Sequence, residues 1–218
     1  MIRESVVSIG CCFGALLLLM QGFHATPACS GPCPAETVGV SVAEWDTGLF
    51  AFDCRGIGQV FRAPDTLISS ITIWRPAEEE TTLFARRLFI TDVDASSGVP
   101  LLEQVLLVGP ELRVLAGDGV HPVEYRYAFD PPFVLPRRGL FFFAILAEGF
   151  GTVNILGTER NLYPDGRAWE TGPDLLCIPS GAKPIDPNLD LVFEIEFCNT
   201  GTTPVRRRSW GELKIRYH

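Results

Sequence analysis

Histidine is almost missing from this chain, with three in 218 residues. His24 falls in the leader, His218 ends the chain, and His121 sits beside Pro122 just after a Gly-Asp-Gly stretch. A histidine-based triad or a multi-histidine metal centre therefore has no material, and His121 reads as a surface turn residue. The G-x-S-x-G elbow, the P-loop and the dinucleotide-binding glycine pattern are also missing. No segment before residue 205 carries a helical period, and there is no internal repeat or low-complexity tract. Positive charge is scarce too. The net charge is −8, and five basic residues against one acidic in the last fourteen leave the remainder at −12. Such a body repels a phosphate backbone, which excludes nucleic acid as its partner.

What is present begins with a leader. Arg3 supplies a short positive region, Val6 to Met20 is apolar, and Thr26-Pro27-Ala28 offers small residues for signal-peptidase cleavage. The apolar run is short for a spanning helix, which needs about 20 apolar residues. We expect 1–28 to be a signal peptide and the protein to be secreted or held at the cell surface. Cys29 directly after the cut admits a lipidated terminus, but Thr26-Pro27 departs from the aliphatic residue that lipidation prefers. Five cysteines remain after cleavage, an odd number in a space where thiols pair. Cys29 and Cys33 suit a local disulfide rather than zinc, since no second pair accompanies them. Cys54 and Cys198 are expected to pair if the first and last strands are neighbours, with Cys177 as rival partner.

From residue 38 to 198 the dominant period is two. Val123, Tyr125, Tyr127 and Phe129 alternate with Glu124, Arg126 and Ala128. Leu191, Phe193, Ile195 and Phe197 alternate with Asp190, Val192, Glu194 and Glu196. Gly139 to Ala147 is apolar throughout and reads as a central strand covered on both faces. Further strands are expected near 40–45, 48–53, 58–63, 67–74, 84–92, 102–108, 151–156 and 166–170. Gly109-Pro110, Asp130-Pro131-Pro132 and Pro164-Asp165-Gly166 read as breaks between strands. The expected fold is all-β, an antiparallel, jelly-roll-like β-sandwich over 38–198. An N-terminal Cys-containing segment, 29–37, precedes it, and a linker and basic tail, 199–218, follow.

Several stretches resemble a known family when taken in order. They are Gln59-Val60-Phe61-Arg62-Ala63-Pro64, Leu67 to Trp74, Asp130 to Leu135, Tyr163-Pro164-Asp165-Gly166-Arg167-Ala168-Trp169 and Asp190-Leu191-Val192-Phe193. They resemble secreted bacterial β-sandwich modules of the choice-of-anchor type over most of 57–198. Asn161-Leu162-Tyr163-Pro164 stands where those modules carry Asn-Pro-Tyr. The resemblance implies a sandwich and export, and no activity.

Candidate chemistry is thin. Asp190, Glu194 and Glu196 share one strand face by parity. Glu194 and Glu196 would lie about 7 Å apart by strand rise, within the span that glycosidase carboxylates need. Any half-exposed strand shows the same alternation. Asp92 and Asp94, with Glu103 further on, mimic a calcium loop. The glycine comes one place late and Pro100 falls inside, so an Asp-rich hairpin loop is expected and no cofactor. Trp45, Trp74, Tyr163 and Trp169 are candidates for an aromatic platform against sugar rings, with core packing as the other use of such residues.

The tail is of another kind. Ser209 with Glu212 makes a capping box, and Trp210, Leu213 and Tyr217 recur on one helical face, so a short C-terminal helix is expected. It resembles the S-W-G-x-[IL]-K tails of assorted exported proteins, which implies sorting or surface retention. Arg206, Arg207 and Arg208 would reach an acidic partner while Trp210 anchors, which is the only membrane contact expected besides the leader. Docking of this basic tail on its own acidic body is the competing expectation. The functional expectation is an exported, non-catalytic module, structural or binding, with a cell-surface component or polysaccharide as partner. The alternatives are a glycoside hydrolase using Glu194 or Glu196, and a surface protein that binds other proteins through its tail.

Overall fold

The computed structural model describes residues 35–52, 54–77, 85–113, 115–147, 152–172 and 178–198. The leader, Cys29, Cys33, Cys177 and the whole tail, including the expected helix, lie outside the described residues. Within them the chain is almost wholly antiparallel strand. The strands are β1 (Ala35–Val40), β2 (Thr47–Phe52), β3 (Gly56–Ala63), β4 (Leu67–Arg75), β5 (Arg86–Val93), β6 (Pro100–Leu112) and β7 (Val123–Val134). They continue with β8 (Gly139–Ala147), β9 (Thr152–Thr158), β10 (Ala168–Gly172), β11 (Ser180–Pro184), β12 (Asp190–Leu191) and β13 (Phe193–Cys198). A single 3-10 turn, Val42–Glu44, follows β1 where a strand over 40–45 was expected. No helix among the described residues is long and apolar enough to cross a membrane.

Three sheets form. The first has the order β1-β13-β4-β7, the second β11-β10-β3-β8-β5-β6, and the third β12-β9-β2. The first two face each other as a sandwich, because alternate side chains of each strand are apolar and must leave water. Phe143 of β8 meets Phe193 of β13 at 5.4 Å between ring centroids, and Phe61 of β3 meets Phe197 at 6.5 Å. Ile71, Ile73, Tyr125, Tyr127 and Ile195 fill the same layer.

β8 lies between β3 and β5 and is buried on both faces, as its unbroken apolar run demands. Phe141, Phe143 and Ile145 join the main core. Phe142, Ala144 and Leu146 join a second core with Val60, Phe89, Leu102 and Trp169. The second core exists because the six-stranded sheet curls. Its two edge strands, β6 and β11, approach each other over the outer face and bring Leu102, Val105 and Ala182 onto it.

The prolines that read as breaks do not all break. β7 runs through Asp130-Pro131-Pro132, where the Asp130–Pro131 bond is cis, and β6 runs through Gly109-Pro110. Both strands are sheet edges, and in both the register slips opposite the proline, between Ile68 and Ser70 of β4 and between Arg87 and Phe89 of β5. An edge position at a bulge has no ladder bond for proline to remove.

The last strand also departs from expectation. Asp190 and Leu191 pair with β9, and the chain changes sheet at Val192, so Phe193 onward pairs with β4 and β1. Asp190 therefore does not share a face with Glu194 and Glu196. The expected Cys54–Cys198 bridge is corrected as well. Phe197 packs on Phe61, near the far end of β3 from Cys54. By strand rise the two cysteines stand roughly 20 Å apart, far beyond disulfide reach. Cys54 and Cys198 are each disulfide-bonded, and at that separation not to each other.

Candidate functional site

A cleft of about 450 Å3 opens at one end of the six-stranded sheet. Val60 and Leu140 form its floor, and Ser97, Gly98, Asn161, Pro164, Asp165, Gly166, Arg167 and Pro187 its walls. A second cavity of about 250 Å3 also borders Leu140 and takes in Arg62, Val93, Ala95, Arg137 and Gly139.

One wall is the hairpin loop between β5 and β6. Asp94 organises it, accepting from the Ser96 and Ser97 hydroxyls at 2.6 and 2.8 Å and from both their N–H groups. The Ser96 hydroxyl bond, followed by those from Ser97, holds this carboxyl well below the usual range. The expected Asp-rich hairpin is what forms, and Asp94 is spent on the turn. Asp92 pairs with Arg137 and accepts from the Val93 N–H at 2.7 Å, while Glu103 is exposed on β6. Among the described residues, no three His, Cys, Asp or Glu stand where they could hold a metal ion together.

The opposite wall is the Tyr163–Arg167 turn, closed by the Gly166 N–H donating to the Tyr163 carbonyl at 3.2 Å. It rests on β3, where the Val60 N–H donates to the Arg167 carbonyl at 3.0 Å. From beneath, Asp190 accepts the Tyr163 N–H at 2.8 Å and the Gln59 amide at 3.0 Å. Gln59 in turn accepts the Leu191 N–H at 3.0 Å. Gln59 and Asp190 are fully buried. Burial pushes the Asp190 carboxyl up, against the pull of the Tyr163 N–H, the Gln59 amide and the Leu162 N–H. A buried, mutually satisfied network of this kind fixes geometry.

The aromatic candidates do not assemble. Trp169 is only 2% exposed, in the second core, and Tyr163 is buried under its own turn. The Tyr163 hydroxyl accepts the Arg62 N–H at 3.0 Å, and its ring stands edge-on to Phe193 at 5.2 Å. Neither ring has a face to offer a sugar. Trp74 is half-buried on β4, and Trp45 is exposed beside the 3-10 turn. Neither lines the two cavities. His121 is exposed, its Nδ1 2.7 Å from Asp118 Oδ2 within one turn.

The carboxylate pair sits elsewhere again, on the outer face of the four-stranded sheet. Glu196 binds Arg126 at 2.6 and 3.2 Å and accepts from the Ser70 hydroxyl at 2.9 Å. Partial burial alone would raise its pKa, but Arg126 and Ser70 outweigh it and hold it below the ordinary value. A glycosidase acid needs the opposite shift. The sign fixes an expected pH dependence. A carboxylate lowered in the folded state contributes stability above its unfolded pKa and loses it as pH falls through the folded pKa. Glu196→Gln should therefore flatten the fall in melting temperature from about pH 5 to about pH 3. Parallel acid limbs for parent and variant would show that Arg126 and Ser70 do not hold Glu196 ionised.

Residues that the sequence did not single out carry the charge of the cleft. Arg62 pairs with Asp165 at 3.0 Å, and Arg137 stacks on Phe141 at 4.8 Å. The Arg167 guanidinium lies over the buried Trp169 ring at 4.6 Å. The only advance signal was the Pro-Asp-Gly-Arg-Ala-Trp run itself, in which arginine and tryptophan alternate on one strand face.

No protein-family model matches the chain, and no curated protein matches it. Among solved structures, it is similar to the clostridial cysteine protease Cwp84 after propeptide cleavage, with a TM-score of 0.50 and 9% sequence identity. The match covers 74% of this chain and 39% of that one. At that identity the likeness concerns the fold alone.

Proposed function

We propose that this chain is an exported, non-catalytic binding module that takes a saccharide at the cleft and acts at the cell surface. One observation carries the reading. The Tyr163–Arg167 turn is locked from below by Asp190 and Gln59, while Asn161, Asp165 and Arg167 line the open space above it. A fixed wall with amide, carboxylate and guanidinium groups suits a ligand rich in hydroxyls, because positions fixed in advance reduce the ordering cost of binding. The pyrrolidine faces of Pro164 and Pro187 add apolar surface. Export rests on the leader, and retention at the surface on the tail.

The test is a glycan-array screen with the full chain and a Ser97→Trp variant. Ser97 is exposed and lines the cleft, so an indole there fills it. The reading expects glycan binding by the parent and its loss in the variant. Equal binding by both would place the ligand elsewhere, and no binding by the parent would remove the saccharide reading.

A further inference from the structure

The arginines of this acidic protein are mostly engaged by carboxylates. Arg55 pairs with Glu170, Arg62 with Asp165, Arg87 with Glu111, Arg126 with Glu196 and Arg137 with Asp92. Arg138 pairs with Asp65, and Arg160 with Glu44 and Asp46. Arg167 differs from these, as does the exposed Arg113 just after β6. Among the described residues the Arg167 guanidinium meets no carboxylate, and what sets it apart from Arg113 is its contact with the Trp169 ring, 4.6 Å away. That ring is buried and cannot move aside, so the guanidinium is held in place while it lines the larger cleft. Stacking fixes the plane of the fork and leaves its N–H edge to a ligand.

In a chain of net charge −8, a cleft cation with no carboxylate beside it is available to an anionic ligand. Asp165 could have been its partner, being in the same turn, but Arg62 holds Asp165 at 3.0 Å. We infer that Arg167 reads a carboxylate, so the cleft selects acidic saccharides, chains built from hexuronate units, over neutral ones. The inference rests on the saccharide reading of the same cleft. A hexuronate offers a planar carboxylate that matches the fork and ring hydroxyls that match Asn161 and Ser97. The adjoining cavity past Leu140 gives room for a neighbouring unit near Arg137, so an oligomer should bind better than a monomer.

The test measures binding of the full-length protein by calorimetry. The probes are tetramers of galacturonate and of mannuronate, the methyl ester of each, and cellotetraose as the neutral control. At least one acid tetramer should bind about tenfold or more tighter than its ester and than cellotetraose, as a lost charged hydrogen bond implies. Arg167→Gln should erase that difference while lowering the melting temperature by only about 2–4 °C, as loss of the Trp169 contact implies. Arg167→Lys should restore part of it, since it keeps charge without the fork. Arg126→Gln, on the other sheet, should leave that discrimination unchanged. Equal affinity for acid and ester, or an Arg167→Gln protein that still discriminates, would overturn the inference. If cellotetraose binds and neither acid does, the saccharide reading stands and the charge reading falls. If no probe binds, both fall.

Discussion

Asp190→Ala should cost about 3 kcal/mol in denaturant unfolding and abolish ligand binding at the cleft. The truncation leaves the Gln59 amide and the Tyr163 N–H without the acceptor that both share. Each buried group left unsatisfied costs about 1–3 kcal/mol. The loss is concentrated in one place, because Gln59 also holds Leu191. The site therefore couples the middle of β3, the start of β12 and the Tyr163 turn. Asp190→Asn should fall between parent and alanine variant, since its amide presents a donor where one of two donors now points. The raised pKa adds a second readout. A carboxyl raised in the folded state contributes stability below its unfolded pKa and loses it as pH rises through the folded pKa. Removing the group should thus also remove that descent. A cost below about 1 kcal/mol for Asp190→Ala would show that water replaces the carboxylate and that the network is not what shapes the wall.

Gly166→Ala should be comparably severe, for a steric reason. A methyl group at residue 166 would stand 1.8 Å from the Val60 carbonyl oxygen and 2.6 Å from its carbon. The obstacle is backbone in a strand paired on both sides, so it cannot swing away. The turn must lift from β3 and break the Val60–Arg167 hydrogen bond, which overpacking costs place at about 3 kcal/mol. Gly98→Ala is the contrast. That glycine has φ +73° with nothing within 4 Å of the added carbon, so it should cost only about 1 kcal/mol of left-handed backbone strain. Thermal unfolding of the two variants side by side decides the matter. Equal losses would mean that the turn is not seated on Val60 as described.

The parts of the fold that were legible in advance are those where one residue's burial depends on its own strand alone. β8 announced itself, because nine apolar residues in succession, rich in phenylalanine, preceded by Pro136 and opening on Gly139, suit a short strand covered on both faces. The alternation in β7 and β13 was equally direct. Edges were harder to read. β1 has a glycine and a polar face, and Ser180–Pro184 carries no alternation at all, since an edge strand buries little. Prolines misled for the same reason, being excluded from central strands and not from edges.

The cleft was only half legible. The Pro-Asp-Gly run marked the turn, but Trp169 stayed open between a ring for stacking and a core residue. Its parity places it on the outer face of the six-stranded sheet, and only the curl that brings β6 to β11 buries that face. A curl depends on residues far apart in the chain and leaves no local period. Asp190 was hidden in the same way. Parity grouped it with Glu194 and Glu196, and the change of sheet at Val192 divides them.

The prolines inside β6 and β7 bear on how copies of this protein would behave when crowded. An open sheet edge invites a neighbouring molecule to extend the ladder, N–H by N–H. At Pro110, and again at Pro131 and Pro132, such a neighbour finds no N–H to accept, beside a bulge that throws its register off. Molecules packed side by side along these two flanks would stay separate instead of fusing into a ribbon.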